Sequence, residues 1–199
     1  YVDHIGLELV EKADDGRAYL KGYDEFDRHS IVLREADAPG VDVMAFKVAG
    51  AADLDTFEKR ITDFGLAVDH VAAGEQPTVG RRIGFELPSG HRIELYAEMA
   101  RSDNGPITEN PDIWRDDPHG MRALGFDHCL LYGPNVAEVT RFFTEVLDFG
   151  LVEKVQTPDG PIAVWLTSST KSHEVAFVEH PEPGKFHHVS FLLESWNDV

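Results

Sequence analysis

Two histidines sit in alternating, strand-like apolar runs: His128 in Gly125-Phe126-Asp127-His128-Cys129-Leu130-Leu131-Tyr132, and His188 in Phe186-His187-His188-Val189-Ser190-Phe191-Leu192-Leu193. On an extended chain Phe126, His128 and Leu130 share one face, while Asp127, Cys129 and Leu131 take the other. Two strands that each turn an imidazole inward can hold a metal ion between them, because a neutral ring nitrogen is a common ligand for first-row metals. The competing reading is two unrelated, half-buried strand histidines. Cys129 alternates with His128, which makes it a packed thiol facing away from the metal.

Composition limits what such a site could serve. The chain has 199 residues, of which 42% are hydrophobic and 27% charged, enough for one large or two small packed domains. Its 36 acidic against 18 basic residues give a formal charge of -18. Such a surface repels nucleic acid and anionic lipid, leaving small molecules and other protein chains as partners. A single cysteine excludes an internal disulfide and suits a reducing cytoplasm. No apolar run reaches membrane-spanning length and no signal peptide is visible. The chain lacks an initiator Met and stops at Asp198-Val199, where a helix begins, so a segment of a longer protein is expected.

The positioning elements follow in order. Tyr1, Ile5 and Leu9 read as the tail of an amphipathic helix that turns into a strand. Asp15-Gly16 marks a hairpin before strands at 18–22 and 30–34. A strand at 43–48 leads to a helix over 53–64, with Leu54, Phe57, Ile61 and Phe64 at helical spacing and Gly65 as its stop. Strands at 68–71, 81–87 and 91–97 complete this half, the last two joined by Pro88-Ser89-Gly90. Residues 101–121 are loop punctuation, with one helical turn expected around Trp114. A second half then opens at 124. Asn135 can cap a helix burying Val136, Val139, Phe142, Phe143 and Val146, and strands follow at 151–155, 162–167, 174–179 and 188–193.

The halves repeat one another. Tyr1 to Lys12 lies over Phe143 to Lys154 at an offset of 142, both ending in Leu-Val-Glu-Lys; His29 to Leu33 lies over His173 to Phe177 at 144. The same register places Val43-Met44 over His188, so copy one has apolar residues where copy two has a candidate ligand. The counterpart of Glu94 in copy two falls past Val199. A carboxylate there would complete two histidines and one carboxylate, the set of an open Fe(II) or Mn(II) site.

Five stretches together carry a family resemblance: Gly16 to Lys21, Ile31 to Asp37, Phe126-Asp127-His128, Lys171 to Phe177, and His187 to Phe191. With them the chain resembles, over essentially its whole length, the extradiol ring-cleaving dioxygenases of the vicinal-oxygen-chelate superfamily. The resemblance implies an α+β fold of repeated βαβββ modules in two domains: a metal-free domain at 1–100, a linker at 101–121 and a catalytic domain at 122–199. It implies His128 and His188 as metal ligands, with Fe(II) preferred to Mn(II), and His173 as the acid–base residue. His29 is then its silent equivalent, and Glu94 is not a ligand. A catechol must lose protons to bind through both oxygens, and a proton must be returned later, which suits an imidazole. Trp165 and Val178 fall on strands that line the family's substrate pocket, the competing reading being plain core.

His187 alternates away from the site as a supporting residue, and His180 lies in a loop, either solvated or near the mouth of the site. His4, His70, His91 and His119 are expected at the surface. The implied activity is O2-dependent meta cleavage of catechol or a substituted catechol to a 2-hydroxymuconic semialdehyde, in a cytoplasmic homo-oligomer, by resemblance a tetramer. With the third ligand outside it, the 199-residue chain alone is expected to be inactive. The alternatives are a sequestering protein, which needs no acid–base histidine, and a glyoxalase-type metalloenzyme on the same fold.

Overall fold

The structure, a computed structural model, describes residues 1–102 and 119–199. The helical turn expected around Trp114, and most of the expected linker, lie outside the described residues. By contacts the chain forms two compact units: Tyr1–Ala38 with Met99–Asp127 and Ser190–Val199, and Pro39–Glu98 with His128–Val189.

The first unit contains an antiparallel sheet of β1 (Glu8–Lys12), β2 (Ala18–Lys21) and β3 (Ile31–Leu33), in that order. The β1–β2 hairpin turns where Asp15-Gly16 marks it, with Gly16 at φ 87°. The helix expected at the start is only a turn. Gly6, in the left-handed region at φ 79°, closes it by donating to the Val2 carbonyl, and the chain then extends into β1. A side chain at Gly6 would strike the His119 carbonyl, so glycine is required twice over. Leu7, Leu20 and Ala123 make this unit's buried cluster.

The second unit carries the βαβββ pattern twice. In the first instance β4 (Met44–Lys47), α1 (Ala51–Phe64), β5 (Asp69–Val71), β6 (Arg82–Glu86) and β7 (Arg92–Tyr96) form a sheet ordered β4-β7-β6-β5, with β4 parallel to β7. In the second, β8 (Gly125–Gly133), α2 (Val136–Glu145), β9 (Gly150–Thr157), β10 (Gly160–Thr167) and β11 (Val175–Glu179) form β8-β11-β10-β9, with β8 parallel to β11. β12 (Lys185–Leu192) lies beside β8. Fold class and, apart from the opening helix, the element types are therefore as the sequence implies. The internal repeat is also visible: β1 begins at Glu8 and β9 at Gly150, an offset of 142.

Amphipathic spacing explains why α2 settles where it does. Val136, Val139, Phe142 and Phe143 are fully buried, each worth roughly 1.5–3 kcal/mol of removed apolar surface. Phe143 meets Phe177 of β11 with tilted rings (centroids 5.4 Å apart), and Phe142 meets Phe64 and Phe85 at 5.2 and 5.3 Å. The helix start differs from expectation. Asn135 occupies the cap position in the left-handed region, and its amide donates to the Pro88 carbonyl instead of capping. The cap is Glu179, at the end of β11, whose carboxylate accepts the Asn135 and Val136 N–H groups at 3.2 and 3.0 Å. A carboxylate at a helix N-terminus satisfies orphan donors and complements the dipole. Glu179→Ala should therefore cost about 1–2 kcal/mol in urea unfolding, whereas Asn135→Gly should cost far less.

Candidate metal centre

The second sheet has a closed and an open face. Leu131, Val164, Leu166, Val175 and Phe177 are fully buried, and Cys129 nearly so. Burial lifts the Cys129 thiol to about 12, which leaves it protonated and inert. The strand register puts the remaining alternate residues on the other face: Tyr132 is paired with Val178, and Ala176 with both Leu130 and Trp165. His128 follows the same alternation on β8. Trp165, Val178, Leu130, Tyr132 and His128 are all only partly buried, as befits a lined but open surface.

The structure brings His128, His173 and His188 together on this face. The Nε2 atoms of His128 and His188 stand 3.1 Å apart. The His173 ring lies against that of His128, with centroids 4.3 Å apart. His173 is carried by the turn just before β11, where the Glu174 carbonyl accepts the Cys129 N–H. That bond ties the His173 turn to the residue after His128.

Two imidazole nitrogens bound side by side to one ion, at roughly 2.0–2.1 Å each, stand roughly 3.0–3.4 Å apart. The His128–His188 spacing fits this without rearrangement. Burial, followed by the neighbouring His128 and His187, holds His188 below the usual histidine value. Its lone pair is therefore free near neutral pH. Among the described residues no group of three or more His, Cys, Asp or Glu converges as a metal cluster. What the described chain offers a metal is this pair.

His187 departs from expectation. Regular alternation would turn it away, yet its Nδ1 lies 2.6 Å from His188 Nδ1, and its ring lies 4.9 Å from that of Tyr132. The two neighbouring rings meet with their centroids 4.8 Å apart, a contact that period-2 alternation does not foresee. If His188 keeps Nε2 for a metal, its Nδ1–H donates to His187 Nδ1. An outer hydrogen bond of this kind fixes a ligand's tautomer and orientation. His180, partly buried, stacks on Tyr132 with centroids 6.0 Å apart and the rings nearly parallel.

Copy one shows the same positions put to other uses. His29 is buried with its ring on Tyr19, centroids 4.8 Å apart. Met44 begins β4 with its side chain buried. Glu94 is 6% exposed and held between Arg82 and Arg92 at 3.3 and 3.0 Å. Each of its carboxylate oxygens already faces a guanidinium, which leaves neither directed at a metal.

His91, expected at the surface, is buried. Its Nε2 donates to the Lys185 carbonyl at the start of β12, so its Nδ1 accepts from Ser89 Oγ, both at 3.0 Å. His4, His70 and His119 are exposed as expected. Desolvation holds His91 below the ordinary value of 6.5. The unfolded chain therefore takes up this proton first as pH falls. The contribution of neutral His91 is complete above about 6.5 and is lost as pH drops through that value toward the folded pKa. In urea titrations between pH 7 and 5, His91→Gln should show a shallower acid-side loss of stability than the unaltered protein.

With the geometry established, comparison with known proteins gives it context. Residues 41–100 match the catechol 2,3-dioxygenase-like N-terminal domain family, and residues 125–199 the glyoxalase/bleomycin resistance protein/dioxygenase superfamily. The whole chain superposes on 70% of the crystal structure of the 2,3-dioxygenase LapB from Pseudomonas sp. KL28, at a TM-score of 0.95 and 47% identity. The chain belongs to the extradiol dioxygenase family of the vicinal-oxygen-chelate superfamily. This dioxygenase-family chain is also 46% identical, over its full length, to a metapyrocatechase of Pseudomonas sp. (strain CF600). A manganese-dependent 2,3-dihydroxybiphenyl 1,2-dioxygenase of Geobacillus genomosp. 3 is 23% identical over 99% of the chain. The chain spans 66% and 64% of those two relatives, just under two thirds of each. Homoprotocatechuate 2,3-dioxygenase from Arthrobacter globiformis, at 24% identity and a TM-score of 0.80, shares the fold.

Proposed function

We propose that this chain carries the larger part of a metal site for extradiol cleavage of catechols by O2, giving a 2-hydroxymuconic semialdehyde. The observation that carries the proposal is the facing His128–His188 pair with the His173 ring beside it. His128 and His188 would hold the metal through Nε2. Iron(II), bound there, would supply a centre able to take both catechol oxygens and O2. His173 stands where it can accept a proton from a catechol hydroxyl and later return one. Trp165 and Val178 offer an apolar wall to the aromatic ring, and the closed face beneath keeps water from that side.

The division into a metal-free domain at 1–100, a linker at 101–121 and a catalytic domain at 122–199 belongs to the same proposal. It is supported by the separate family matches at 41–100 and 125–199. No described helix is long and apolar enough to cross a membrane. With the acidic surface and single cysteine, a cytoplasmic setting is proposed, and the family resemblance suggests a homotetramer.

The test is anaerobic loading of the intact protein with Fe(II), Mn(II) or Zn(II), followed by catechol and air. Yellow ring-fission product with Fe(II) is expected. Metal bound in equal amount to the protein, with no product from catechol or its alkyl derivatives, would overturn the reading in favour of sequestration or glyoxalase-type chemistry.

A further inference from the structure

The turn carrying His173 is short and polar, and the one carboxylate that bonds within it is that of Glu174 among the described residues. Glu174 Oε2 accepts the Ser168 N–H at 2.8 Å, and Oε1 accepts the Ser169 hydroxyl at 2.5 Å. The Glu174 backbone is fixed on both sides as well: its N–H donates to the Leu166 carbonyl of β10, and its carbonyl accepts the Cys129 N–H. Thr167 Oγ1 adds a bond to the Lys171 carbonyl at 3.1 Å. Without these bonds residues 168–173 would be a loop joining two adjacent strands, free to sample many arrangements at small cost. Ser168, Ser169 and Thr170 are exposed and contribute no apolar packing to hold it.

We propose that Glu174 is a positioning residue for His173: its carboxylate clasps the 168–174 turn and so fixes the His173 ring against His128. The inference rests on the reading of His173 as the acid–base residue and deepens it. A charged acceptor of two hydrogen bonds is stronger than a neutral one, which sets a graded expectation. Glu174→Ala removes both bonds, whereas Glu174→Gln keeps one acceptor oxygen. Ring placement matters for rate because proton transfer demands hydrogen-bond reach, and a misplacement on the order of 1 Å can cost about 10²-fold.

The experiment compares Glu174→Ala, Glu174→Gln and unaltered protein, all in the intact protein that the catechol assay uses. The first readout is hydrogen exchange at the Ser168 amide and side-chain NMR order at His173, measured without metal or substrate. The second is kcat and KM for catechol. Glu174→Ala should accelerate Ser168 exchange, lower His173 order and reduce kcat by roughly 10- to 100-fold, with KM and metal content nearly unchanged. Glu174→Gln should fall between. Unchanged His173 order in Glu174→Ala overturns the clasp, whether or not catechol is cleaved. So does altered order with kcat unchanged in an active enzyme. If the unaltered protein cleaves no catechol, the acid–base reading falls while exchange and order still decide the clasp.

Discussion

Replacing His188 by alanine is expected to abolish stoichiometric metal binding, and with it all ring cleavage. The pair stands at the spacing of two ligands on one ion, and His188 is held below the usual histidine value, so protons compete weakly for its nitrogen near neutrality. Loss of a group that merely orients a ligand costs about 10- to 100-fold in metal affinity, so loss of the ligand should cost more. His128→Ala should behave alike. His187→Ala, which removes the Nδ1 contact to His188 and leaves both candidate ligands, should fall within that smaller range. Metal content by mass spectrometry and affinity by competition with a chelator dye would check this order. A His188→Ala protein that retains one tightly held metal would show that the ligands lie elsewhere.

Why the candidate ligand pair is legible in the sequence and its surroundings are not comes down to the range of the forces involved. Alternation along β8 and the 3.6-residue spacing of Val136, Val139, Phe142 and Phe143 are local and survive in the sequence. The two strands bearing His128 and His188, and their adjacency, follow from repeat logic and family resemblance. The Glu179 cap on α2, by contrast, comes from a residue 44 positions from Asn135. No window of sequence contains both. His91 was misplaced for the same reason. Its partner, Lys185, is 94 residues away, and a lone histidine after a Pro-Ser-Gly turn carries no mark of burial. His187 is a different case: the period-2 rule turns it away from His188, yet the ring Nδ1 atoms of the two neighbours lie 2.6 Å apart. Glu94 was set aside on resemblance, and the structure adds the physical reason, two arginines that already satisfy it.

His173→Gln should separate proton transfer from metal binding. Glutamine roughly keeps the length and polarity of the side chain but cannot exchange a proton near neutral pH. General acid–base catalysis contributes about 10²–10⁴-fold, and kcat is expected to fall by that factor. Metal content should stay at the level of the unaltered protein, because the Nε2 pair of His128 and His188 is complete without His173. A modest change in KM would fit a group that acts in the transition state and contributes little to ground-state binding. The ring contact at 4.3 Å makes the opposite outcome equally informative. If His173→Gln lost its metal along with its activity, His173 would serve as a ligand or as its brace, and the proton would have to move through another group. Retained metal with kcat within about threefold of the unaltered protein would remove His173 from the chemistry altogether.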